Sequence, residues 1–112
     1  MPQHETVRVE TTVDTRDGAE RVARSVIEHR LAACAQVSGP ITSFYRWEGA
    51  VHDDEEWRVV AKTAADRLDD LTAHIVGIHP YDVPEVVAVP VTGGNPSYLA
   101  WVRDETRGDR TA

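Results

Sequence analysis

Between Thr6 and Val13 the side chains alternate, with Val7, Val9, Thr11 and Val13 on one face and Arg8, Glu10 and Thr12 on the other. A period of two predicts a half-buried strand. Asp14 to Gly18 reads as a turn, and Asp17 three residues before Glu20 is the spacing of a capping box that opens a helix. Ala19, Val22, Ala23, Val26, Ile27 and Leu31 follow at helical spacing as one apolar stripe. A second extended segment begins near Ala33, pauses at Gly39-Pro40 and runs from Ile41 to Trp47, rich in β-branched and aromatic residues. The polar stretch Glu48 to Glu55 predicts a hairpin tip. Glu56 to Thr63 returns as a strand with Trp57, Val59 and Ala61 on one face.

Thr63 can cap a second helix with the stripe Leu68, Leu71, Ile75 and Ile78, ended by Pro80. Pro84 to Val91 predicts a fourth strand, whose prolines suit a sheet edge. Asn95-Pro96 is a helix start, N-cap followed by proline at the first helical position. That helix carries Tyr98, Leu99, Trp101 and Val102, with Gly108 as its stop and a frayed tail from Asp109 to Ala112.

The order is β-α-β-β-α-β plus a terminal helix, which predicts an α+β, ferredoxin-like sandwich with helices on one face of an antiparallel sheet. Residues 1–112 are read as a single domain with an ordered core at 6–107. The central hairpin stands out, with arms of about 12–15 and 8–10 residues against about 5–6 for a common strand. Arms of that length overhang the sheet and expose edges that another chain can pair.

Charge narrows the functions. Twelve basic residues stand against nineteen acidic ones, for a net charge of −7. An acidic surface repels phosphate backbones, and no cluster of cations offsets it, so nucleic acid is not an expected partner. Lys62 is the only lysine. With one cysteine, Cys34, no internal disulfide can form, no apolar run is long enough to span a membrane, and no secretory leader is apparent. The expectation is a cytoplasmic protein that needs no membrane.

Few residues carry candidate chemistry. Cys34 is either a small buried hydrophobe or a soft ligand for Cu(I). His79 either serves the end of the second helix or offers an imidazole to copper or zinc. Lys62 and Glu85 sit at strand ends, as a salt bridge, as free charges or as the polar lining of a cleft walled by Trp47, Tyr81 and Trp101. His4, His29, His52 and His74 make no metal-binding spacing and are read as surface residues. Asp53-Asp54-Glu55-Glu56 lacks the glycine and alternating donors of a calcium loop and reads as a solvated tip. Arg16 follows the first strand, where acylphosphatases of the same element order hold a phosphate-binding arginine. Flanking Asp14 and Asp17 would repel such an anion, and no nucleophile–base spacing is apparent, so no enzyme is expected.

Five segments together resemble the CutA family, the divalent-cation tolerance proteins. They are Arg30-Leu31-Ala32-Ala33-Cys34-Ala35, Ile41-Thr42-Ser43-Phe44-Tyr45-Arg46-Trp47-Glu48-Gly49, Lys62-Thr63, His79-Pro80-Tyr81-Asp82-Val83-Pro84-Glu85 and Gly94-Asn95-Pro96-Ser97-Tyr98-Leu99-Ala100-Trp101. The resemblance implies a tight homotrimer, similar to the PII signalling trimers, whose long hairpins pair with neighbouring subunits. It implies a role in tolerance of copper and other divalent cations, no required cofactor and no catalysis. Copper-binding members can carry a cysteine near the end of the first strand and a His-His pair before the proline; here those places hold Thr11 and Ile78-His79. The ligand expected at inter-subunit clefts is weakly held copper or another divalent cation at Cys34 and His79, or a small anion at Lys62 as in a PII-like regulator.

Overall fold

The computed structural model describes residues 5–107. Its elements run β1 (Thr6–Val13), α1 (Arg16–Glu28), β2 (Cys34–Trp47), β3 (Ala50–Ala64), a 3₁₀ turn (Ala65–Arg67), α2 (Leu68–Ile78), β4 (Val87–Val91) and α3 (Pro96–Glu105). The four strands make one antiparallel sheet in the order β2-β3-β1-β4. The α+β fold anticipated from the element order is therefore present.

Strand parity divides the molecule into a packed and an open face. Val7, Val9 and Val13 of β1 and Val59 and Ala61 of β3 point to the core, where Ala19, Val22 and Val26 of α1 and Leu71 and Ile75 of α2 cover them. The opposite parity places Arg8 and Glu10, Arg58, Val60 and Lys62, and Val87 and Val89 on the open face in mutual register. Of these, Val87 and Val89 remain about half exposed. As an edge strand, β4 tolerates Pro90 within it.

The hairpin is longer than the sequence pattern predicts. Its arms are 14 and 15 residues, and the tip is only Glu48 and Gly49, both with positive φ (50° and 80°). Two such residues form the tight turn whose twist matches paired strands. The segment Glu48 to Glu55, expected to be the tip, is thus mostly strand. Solvent reaches both faces of the overhang, so acidic residues there cost nothing in desolvation and no alternation marks the strand. The pause at Gly39-Pro40 is a register shift between Ser38 and Ile41. Gly39 has φ 151°, and a Cβ there would lie 2.8 Å from the Trp57 ring.

Helix starts differ from expectation in two places. Thr15, not Asp17, caps α1: its Oγ1 accepts the Gly18 N–H at 3.0 Å, and Asp17 lies in the first turn, where its charge suits the helix dipole. Thr63 does not cap α2 but is buried within β3, and the 3₁₀ turn makes the entry instead. The fourth strand begins at Val87, three residues later than Pro84. The N-cap of α3 is Asn95, as the Asn-Pro pair predicts. That helix ends at Glu105 with Thr106 bonded back to the Val102 carbonyl. His4, Gly108 and the tail Asp109 to Ala112 lie outside the described residues.

Candidate functional site

The start of β2 carries the first polar notch. Cys34, Lys62 and Arg8 stand side by side on the open face, because Cys34 pairs with Lys62 and Lys62 with Arg8. Lys62 Nζ lies 4.0 Å from Cys34 Sγ, and the Tyr98 hydroxyl is 3.3 Å from the same sulfur. Tyr98 comes from α3 and stacks obliquely against Trp101, ring centres 5.6 Å apart. The hydrogen bond with Cys34, followed by burial, pushes the Tyr98 phenol up to about 12.

Next to this notch a groove of about 470 Å³ follows the open face, lined by Arg8, Lys62, Val60, Gln36 and Ser38. Glu10 pairs with Arg8 at 3.6 Å and Arg58 at 3.3 Å, whereas Lys62 enters no ion pair with a described residue. Around the groove Arg8, Arg58 and Lys62 outnumber Glu10, so its rim is positive on an otherwise acidic chain.

His79 belongs to a second place, at the other end of β1. It is buried, its Nε2–H donates to the Thr12 carbonyl at 2.9 Å, and its Nδ1 accepts the Tyr81 N–H at 3.1 Å. Both ring nitrogens therefore hold backbone groups, which fixes the turn after α2. Tyr81 lies edge-on to His79 and donates to Glu56 Oε2 at 2.6 Å. Burial first, then the bond to Glu56, raises the Tyr81 phenol above its ordinary range.

The sequence-derived site residues fall into two separate groups within one chain, Cys34 with Lys62 and His79 with Tyr81. Thr12 is four residues beyond Arg8, so the Cys34 row and the His79 contact are about 13 Å apart along the strands, before the two-strand sideways offset. Among the described residues, no three His, Cys, Asp or Glu side chains converge as a metal site. Trp47 ends β2 at the hairpin tip, about 40 Å of strand from Cys34. Glu85 is exposed ahead of β4 and pairs with no described residue, so no Lys62–Glu85 bridge forms in the protomer. Arg16 opens α1 and pairs with Glu20 at 3.0 Å. Thr11, one residue before the His79 contact, is buried on the core face with its Oγ1 unpartnered.

Sequence reasoning missed Tyr98, Arg8 and Glu56 as site residues. Pairing the strands in register would have brought Arg8 to Lys62. Continuing the β3 parity outward would have turned Glu56 away from Trp57; nothing local marks Tyr98. His74 also departs from the surface reading, being half-buried with Nε2 2.8 Å from the Ser25 hydroxyl.

Comparison with known proteins agrees with this architecture. The family described as CutA1 divalent ion tolerance protein matches residues 7–105. A chloroplastic CutA protein of Arabidopsis thaliana is 42% identical over 99 residues, covering 88% of this chain and 54% of its own. The chain thus spans about half the length of that plant relative. The divalent-cation tolerance protein CutA of Thermus thermophilus is 40% identical over 95 residues, covering 85% of this chain and 92% of its own. The crystal structure of CutA1 from Oryza sativa superposes with a TM-score of 0.89 at 42% identity, covering 94% of this chain and 96% of that one. The chain belongs to the CutA1 divalent ion tolerance protein family.

Proposed function

We propose that this protein is a non-enzymatic, trimeric binding protein of divalent-cation tolerance, working in the cytoplasm through clefts between its subunits. The observation that carries the assembly is the uncovered apolar surface on the hairpin and the open face. Phe44 is 73% exposed and Val51 65%, and Tyr45, Trp47, Val87 and Val89 are each about half exposed. The chain is also elongated, with a radius of gyration of 14.9 Å against about 13 Å for a compact domain of this length. Symmetric closure of three chains would pair the strand edges and bury the apolar face at once.

Cation binding in this reading is weak. Copper at His79 Nδ1 would displace the Tyr81 N–H, and Cys34 must be met by a donor of another subunit. Trp47, Tyr81, Trp101 and Glu85 would line such a cleft only when a neighbour's hairpin reaches it. A second reading, a PII-like regulator holding a small anion, is favoured by the positive groove at Arg8 and Lys62.

Light scattering on a size-exclusion column tests the assembly and should return about three times the 12.4 kDa chain mass. A clean monomer overturns it. Calorimetric titration of Cu²⁺, anaerobic Cu(I) and nucleotides into wild type, Cys34→Ser, His79→Ala and Lys62→Ala tests the site. Cation heats lost in the first two variants support the cation reading; anion heats lost only in Lys62→Ala support the regulator.

A further inference from the structure

Two histidines that share no sequence motif meet across the helix layer. His29 caps the carboxyl end of α1 and His74 lies in α2, with ring centres 4.6 Å apart and planes inclined by 45°. Ser25, one turn before His29, holds both rings. Its carbonyl takes the His29 Nδ1–H at 2.9 Å, and its hydroxyl lies 2.8 Å from His74 Nε2. With Nε2–H of His74 donating to that hydroxyl, each ring keeps one lone-pair nitrogen: Nε2 of His29 and Nδ1 of His74.

We propose that His29 and His74 form a surface site for a borderline divalent cation of the zinc and copper class, positioned by Ser25. Geometry carries the assignment. Metal–imidazole bonds of about 2.0–2.1 Å, at angles from square-planar to tetrahedral, put two ring centres about 4.5–5.3 Å apart. The observed 4.6 Å falls in that interval, at its square-planar end. Hydrogen-bonding one nitrogen of a ligating histidine, so that the other faces the ion, is the usual support around a metal. Imidazole pairs favour copper, nickel and zinc over magnesium and calcium. Water fills the remaining positions, because no third described donor converges.

The site lies on the helix face, needs neither Cys34 nor His79, and stands or falls independently of the trimer clefts. The test uses untagged full-length protein with zinc alone, followed by melting temperature and calorimetry. Zinc should raise the melting temperature saturably at one site per chain, and magnesium should not. His29→Ala and His74→Ala should each remove that site, Ser25→Ala should weaken it about tenfold, and Cys34→Ser should leave it unchanged. Because His29 is exposed, His29→Ala decides the matter without disturbing the core. Cu²⁺ electron paramagnetic resonance adds a direct readout, with hyperfine structure from two imidazole nitrogens in wild type and from one in His29→Ala. Zinc uptake by His29→Ala equal to wild type, or no saturable uptake by wild type, overturns the proposal.

Discussion

The Tyr81 hydroxyl donates a 2.6 Å hydrogen bond to Glu56 Oε2, tying the turn after α2 to the middle of β3. Glu56 is 8% exposed, so this bond relieves a carboxylate that has little water. Tyr81→Phe leaves the ring packed on His79 but removes the donor. The expected cost is about 1–3 kcal/mol, the penalty for an unsatisfied buried polar group, read as a lower urea midpoint at fixed protein concentration. An unchanged midpoint would mean that Glu56 is satisfied by solvent.

The same contact predicts an alkaline limb. Tyr81 has its pKa raised above the ordinary 10.0 in the folded state, so the native chain keeps a proton that the unfolded chain releases. Stability from this group is complete below pH 10 and falls as pH climbs toward the folded pKa. Tyr81→Phe should flatten that decline. Urea midpoints between pH 9 and 11, compared for the two proteins, measure it.

Tyr98 offers an independent check on the Cys34 notch. The thiol bond is the first cause of its rise to about 12, and Tyr45 and Tyr81 are raised as well. Native protein should therefore ionise its tyrosines at higher pH than free tyrosine does. In Cys34→Ala one tyrosine should ionise distinctly earlier, followed by absorbance at 295 nm. Superimposable curves would show that sulfur does not hold the phenol.

What could be read from the chain divides along physical lines. The period of two in β1 and the stripes of α1 and α2 are imposed by burial on one side, so they survive in the sequence. Outer β3 is solvated on both faces as far as Glu55, so Asp53 to Glu55 carry no periodic mark and look like a loop. The tip fell inside the stretch read as a loop, but its narrowness was unmarked, because Glu48, at φ 50°, is not a residue type that announces a two-residue turn. Likewise Cys34 and Lys62 were found as chemistry at strand ends, but their adjacency is a property of register. The His29–His74 pair depends on how α1 and α2 pack, forty-five positions apart, which no local spacing encodes.

Two threonines inside the core invite a stabilising change. Thr11 and Thr63 are 1% and 0% exposed, and neither Oγ1 has a partner among the described residues. Valine keeps the β-branched shape and removes the orphaned hydroxyl. Thr11→Val and Thr63→Val should each raise stability by about 1 kcal/mol. They stand on different strands and share no hydrogen bond, so the double variant should approach the sum. A loss of stability in either would reveal a partner for that hydroxyl.

The hairpin gives the last prediction, because the two backbone positions of its turn should respond in opposite directions. Glu48 adopts φ 50° and Gly49 φ 80° between the paired residues Trp47 and Ala50, the conformation that Asn-Gly favours. Glu48→Asn should therefore stabilise by roughly 0.5–1 kcal/mol, since asparagine tolerates the left-handed region better than glutamate. Gly49→Ala meets no atom within 4 Å, so its cost is the backbone alone, about 1–2 kcal/mol. Gly39→Ala suffers twice, from φ 151° and from a Cβ 2.8 Å from the Trp57 ring and 3.1 Å from the Glu56 carbonyl. It should cost more than Gly49→Ala, about 3 kcal/mol, because the carbonyl cannot move without breaking the β2–β3 ladder. Melting curves at several protein concentrations separate hairpin strain from assembly. Strain within the chain shifts all curves equally, whereas a change that weakens association also steepens their dependence on concentration. If Gly39→Ala and Gly49→Ala cost the same, the contact between Gly39 and Trp57 does not constrain the bulge.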